Sequence, residues 1–147
     1  MPTAARLVAV ISLSLATAYI MFLAIQTYPE LERDFVRMVV AGVIVSTIVG
    51  WRGLGRRVGE GYRSAFGYGL RAAVTIIFWT LFIFAGDFMI AGMMKHAYYQ
   101  PMAAVLQIPL RMIQFGRYIL TPELVGTIVV SALFCSALTE AVKRKWD

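Results

Sequence analysis

The sequence predicts an all-α integral membrane protein with four transmembrane helices plus one interfacial or re-entrant amphipathic helix. Two observations carry this. Of the 147 residues, 60% are hydrophobic and only 15% charged, against roughly 45–50% and about 25% in average soluble domains, so the chain cannot cover a water-facing surface. The apolar residues also fall into four blocks near the length of a bilayer crossing, about 20 residues for a hydrocarbon core roughly 30 Å thick. Buried helices of a soluble core are the other reading of blocks this short, but too little polar sequence remains to wrap them. The length fits one domain, residues 1–147.

The first span is expected over about residues 5–26, where Leu7 to Ile25 carry no charge, Gly or Pro. A secretory signal peptide also joins a basic start to an apolar run, with Ala16-Thr17-Ala18 as a small-residue cleavage site. The run continues past Ala18 to Ile25, so cleavage would cut it in its middle, and a retained anchor is expected. The second span, about 35–51, needs Arg37 to snorkel to the interface. The third, about 69–94, begins near Arg71 and takes in Asp87 towards its far end. The fourth, about 121–142, opens on Thr121-Pro122-Glu123, a capping residue, a proline at the first helical position and an acid in the first turn. Between the third and fourth spans, Pro101 starts a segment of about 101–116. Its Gln107, Arg111 and Gln114 form a narrow polar stripe, as in a helix lying on or dipping into the membrane; Pro109 removes one backbone bond there and is expected to kink it.

Charge sets the orientation. Four spans put both termini on one side. With the N-terminus, the Arg52–Arg71 connection and the Lys143-Arg144-Lys145 tail inside, nine basic residues lie inside and five outside, which the positive-inside rule favours. The expected location is therefore the cytoplasmic (inner) membrane of a bacterium, multi-pass, with both termini cytoplasmic. Trp51, Tyr62, Tyr68 and Trp146 fall near the inner interface and Tyr28, Tyr98, Tyr99 and Tyr118 near the outer one, the headgroup level that such rings favour. Trp79 is deep in the third span, where its indole N–H is expected to need a Ser or Thr on another helix. The net charge of +6 then reports topology and the anionic lipid headgroups of the bilayer; no nucleic-acid partner is expected.

Few residues offer chemistry. The stretch Gly50 to Arg63 is rich in Gly and Arg, and Arg52, Arg56, Arg57 and Arg63 are candidates for holding an oxyanion or a lipid headgroup. The plainer reading is a hairpin of Gly turns whose arginines face anionic lipid. Asp87, near the outer boundary, is an intramembrane ionisable candidate that can take a proton or a cation, or simply pair with Lys95 or Arg117. Gly42, Ser46 and Gly50 on the second span, and Ala132 and Ser136 on the fourth, recur four apart and suit close helix packing, within the chain, in a homo-oligomer or against a membrane partner protein. The single cysteine, Cys135, excludes an internal disulfide and reads as a packing residue. The lone histidine, His96, is a weak metal candidate, and no metal site is expected. No catalytic triad, paired catalytic carboxylates or cofactor motif is present, so neither catalytic residues nor a cofactor is expected and the chain does not read as an enzyme.

The opening Met1-Pro2-Thr3-Ala4-Ala5-Arg6-Leu7-Val8-Ala9, with Gly50-Trp51-Arg52, Gly59-Glu60-Gly61-Tyr62, Phe78-Trp79-Thr80-Leu81-Phe82, Leu120-Thr121-Pro122 and Thr139-Glu140, resembles the TrgA family, small tellurium-resistance membrane proteins of alphaproteobacteria. The resemblance covers nearly the whole chain. It implies an inner-membrane protein that contributes to tellurite resistance, and it supplies no catalytic or transport residues. A structural or accessory subunit of a larger transporter or enzyme complex, and a small oligomeric transporter, are the alternatives.

Overall fold

The computed structural model describes residues 2–29, 32, 35–57, 59–95 and 100–146. Met1, His96, Tyr98 and Tyr99, all named above, lie outside the described residues. The described residues are almost all helical, and none of them is in a strand. Helix α1 is Pro2–Thr27 and α2 is Phe35–Val49, which runs on through a π-helical stretch, Gly50–Leu54, into a last turn, Gly55–Arg57. Helices α3 (Tyr62–Met94), α4 (Pro101–Ile119) and α5 (Pro122–Trp146) follow. Four helices are long and apolar enough to cross a membrane: α1, α2 with its π-helical extension, α3 and α5. Helix α4 is not among them.

The four spans form a square bundle, with α1 between α2 and α5 and α3 closing the far side against both, while α4 packs chiefly on α3. Each span buries a narrow stripe of small residues. On α1 it is Ala5, Ala9, Leu13, Thr17 and Ala24; on α5 it is Leu124, Ile128, Ala132, Cys135, Ser136, Thr139 and Glu140. Large apolar side chains point the other way: Leu7, Leu15, Val40, Ile44, Val74, Phe78, Val130 and Phe134 are all exposed. Small and polar inside with bulky and apolar outside inverts the soluble pattern and is what lipid as solvent selects. Apart from Thr80, buried hydroxyls are satisfied within their own helices, as where Thr17 donates to the Leu13 carbonyl at 2.8 Å and Thr139 to that of Cys135 at 2.7 Å. Two inner clusters hold the bundle. One joins Ala9, Leu13, Val45, Leu54, Ile76 and Cys135 near the middle and the Arg-rich end; the other sets Met38 and Phe84 against Met21, Ile25, Tyr28 and Phe115.

The small residues on α2 and α5 sit at the closest approaches. A Cβ on Gly42 would lie 3.0 Å from Thr17 Cγ2, and one on Gly50 would lie 3.1 Å from Val10 Cα. Ser46 and Ser136 are fully buried. Opposite Ala132 and Ser136 lies Gly69 of α3, whose added Cβ would meet Ala132 O and Ser136 Cβ at 2.8 Å.

The sequence reading is corrected in four places. The Gly- and Arg-rich stretch is not a hairpin of Gly turns: residues 50–57 continue α2 and α3 starts at Tyr62, well before residue 69. Glycine weakens a helix by about 1 kcal/mol relative to Ala, but here Gly50 allows α1 to pack against its backbone, so tertiary packing outweighs propensity. Only Gly59 (φ 125°) and Gly61 (φ 116°) take the left-handed conformations of a turn. Thr121 does not cap α5 with its side chain; its hydroxyl donates backwards to the Tyr118 carbonyl at 3.3 Å, within the two-residue connection, Leu120 and Thr121, between α4 and α5. Trp79 turns outward onto the lipid face, edge-on to Phe78 and Phe82 at ring distances of 6.0 and 5.8 Å, and no described residue accepts its N–H. Asp87 pairs with neither Lys95 nor Arg117: α2 brings Arg37 to 3.2 Å from it.

Candidate anion-binding site

The continuation of α2 as a helix decides which arginines meet. The π-helical stretch carries Arg52 and the last turn carries Arg57, both facing α3. From α3 come Tyr68, Arg71 and Thr75, one helical turn apart. Together these side chains wall a cleft of about 280 Å3, floored by Ile48, Val49 and Ala72. Three arginines therefore line one opening at one end of the bundle. The Arg57 guanidinium carbon stands 5.9 Å from the centroid of the Tyr68 ring, within cation–π range. The Tyr68 hydroxyl donates to Glu60 Oε2 at 3.3 Å, so one carboxylate stands beside the three cations.

Of the four arginines singled out from sequence, Arg52 and Arg57 line the cleft, and Arg56 and Arg63 do not. Arg71 does, and sequence reasoning missed it as a site residue. In sequence it marks only the boundary of a span; the helices over 50–57 and 62–75 set Arg52 and Arg71 on facing elements.

A second missed residue is Glu140. It lies at the same end of α5 and is fully buried. Its Oε2 accepts the backbone N–H of Gly59 at 2.8 Å, and its Oε1 accepts Arg144 Nε at 3.3 Å. Arg144 in turn stands over the Tyr62 ring at 4.8 Å. The carboxylate thus fastens the Gly59–Gly61 turn to α5 and fixes how α2 meets α3. Gly59 has a second constraint besides its φ: a Cβ there would fall on the Lys143 side chain. The contact of Glu140 with Gly59 spans 81 residues of sequence and has no local signal.

Asp87 lies at the opposite end of the bundle, half exposed, so it and the arginine cleft are separate features. Cys135 is buried among apolar neighbours of the first cluster. Among the described residues, no three His, Cys, Asp or Glu side chains gather around a space for a metal ion.

The fold defines a class, a helical membrane protein with four candidate spans, a fifth helix packed on the third, and a basic cleft at one end. The chain matches no protein-family model, no curated protein and no solved structure.

Proposed function

We propose that this chain is a small inner-membrane protein that contributes to tellurite resistance, with both termini and the arginine cleft on the cytoplasmic side, and that the cleft holds a small oxyanion. The observation that carries the reading is the convergence of Arg52, Arg57 and Arg71 on one cleft of about 280 Å3. Guanidinium forks match the geometry of oxyanions and bind them with charge-assisted hydrogen bonds. The cytoplasmic assignment rests on nine basic residues against five, and the tellurite assignment on the resemblance to the TrgA family. The reading describes binding rather than chemistry.

The test is a deletion strain scored for growth on tellurite, selenite, arsenate and chromate, then complemented with wild type or with Arg52, Arg57 and Arg71 all changed to Gln. Lost tolerance to tellurite, restored by wild type and not by the triple variant at equal membrane level, supports the reading. Unchanged tolerance in the deletion strain refutes it.

The accessory-subunit reading has one observation in its favour. Trp79 presents an unpaired indole N–H at the lipid face beside Phe78 and Phe82, a place where a neighbouring helix can supply the acceptor. Cysteine crosslinking at position 82 in a Cys135→Ala background tests it; a crosslinked partner supports this reading and none argues against it.

A further inference from the structure

The bundle contains an internal cavity of about 70 Å3, walled by α1, α2, α3, α4 and α5 and almost wholly apolar. A larger groove of about 350 Å3 lies on the bilayer side of α3 and α5, rimmed by the exposed Leu70, Val74, Leu120 and Val129. Ala73, Ile77, Leu81, Ile119 and Ile128 are walls of both, so the two spaces adjoin. Helix α4 lies against them, held by Phe115 on Phe84 at a ring distance of 4.6 Å and by Tyr118 on Tyr28 at 4.8 Å.

One wall residue is out of keeping. Thr80 is 2% exposed, yet its Oγ1 has no hydrogen-bond partner. The other aliphatic hydroxyls in the wall, those of Thr17 and Ser131, donate to carbonyls of their own helices at 2.8 and 2.9 Å. A buried hydroxyl left unpaired is costly, and most buried polar groups avoid it. Water is a poor answer here, because a buried water needs two to four polar partners and the wall offers few.

We infer that the groove and cavity together hold a neutral, lipid-soluble carbonyl compound of the quinone class, with one carbonyl oxygen accepting the Thr80 hydroxyl proton. Three arguments select this occupant. The apolar lining excludes a charged molecule. Depth excludes the ester carbonyls of phospholipids: Thr80 is nine residues beyond Arg71 and seven before Asp87, roughly 13 and 10 Å along the helix at 1.5 Å per residue, which is mid-membrane, whereas ester groups stay at the interface of a core roughly 30 Å thick. Size places the ring in the groove. The inner cavity is about half the ~150 Å3 dry cavity that admits benzene, so it takes the carbonyl edge only.

The experiment uses the full-length protein in nanodiscs, dialysed against empty nanodiscs with a decyl-tailed benzoquinone and, separately, with the same tail on a plain benzene ring. Wild type is expected to bind the quinone saturably at about one per chain. Thr80→Val, which keeps the shape, weakens quinone binding by about two- to tenfold, the worth of one net hydrogen bond, and leaves the benzene analogue unchanged. Ala73→Trp, which fills the shared wall, removes saturable binding of both. Partition without saturation, or a Thr80→Val variant that binds the quinone as wild type does or loses both probes equally, overturns the assignment. The Thr80→Val comparison decides the question even where Ala73→Trp fails to fold.

Discussion

Replacing Glu140 tests how the arginine cleft is held together. The carboxylate is fully buried and receives two donors, Gly59 N–H at 2.8 Å and Arg144 Nε at 3.3 Å. A hydrogen bond to a charged group contributes about 1.5–3 kcal/mol. The Arg144 partner is 58% exposed, so that pair adds no more than about 1 kcal/mol. Glu140→Ala should therefore lower stability by about 2–4 kcal/mol, and Glu140→Gln, which keeps one acceptor for Gly59 but not the charge, by about 1–2 kcal/mol. Reversible unfolding by SDS in mixed micelles reads the difference. Trypsin cleavage after Arg57 gives a local readout. A loss of about 2.8 kcal/mol populates an opened turn roughly 100-fold more, so cleavage should accelerate in the order wild type, Gln, Ala. If both variants stay within about 0.5 kcal/mol of wild type and are cleaved no faster, Glu140 does not fasten the turn and the account of the cleft is wrong.

Other substitutions separate the remaining contacts. Gly59→Ala should cost about 1–3 kcal/mol, because its φ of 125° and the Lys143 side chain both oppose a Cβ; the same unfolding titration checks it. Gly69→Val should disrupt the α3–α5 contact, where even a Cβ meets Ala132 O at 2.8 Å, and cost about 1–3 kcal/mol or more, whereas Gly67→Ala, with open space around it, should be neutral or slightly stabilising. A double-mutant cycle on Arg37→Ala and Asp87→Ala should return at most about 1 kcal/mol, since the two side chains are 68% and 49% exposed; a coupling of several kcal/mol would mean that the pair is sealed from water.

The helices were legible because a bilayer imposes one length and one polarity on every span. Uninterrupted apolar runs such as Leu7 to Ile25 leave no choice of register. Proline at Pro101 and Pro122 marked two helix starts for a local reason, its fixed φ and missing N–H. What failed was the stretch from Gly50 to Arg63. Five glycines there read as turns, and only Gly59 and Gly61 are; Gly50 serves a contact with Val10, 40 residues earlier in the chain, that no local pattern reveals. The same error hid Arg71 from the site. Glu140 was invisible for the opposite reason: an acid near a basic tail looks solvated, and its burial depends on a turn that comes from the other half of the chain.

The most direct test of the central claim is equilibrium binding of tellurite to the purified protein in nanodiscs of neutral lipid, where no anionic headgroup competes. The account predicts saturable binding that weakens with rising salt, is lost when Arg52, Arg57 and Arg71 are changed together to Gln, and survives the change of Arg56 and Arg63, which lie outside the cleft. Equal loss in the two variants, or binding that survives the triple change, would contradict it.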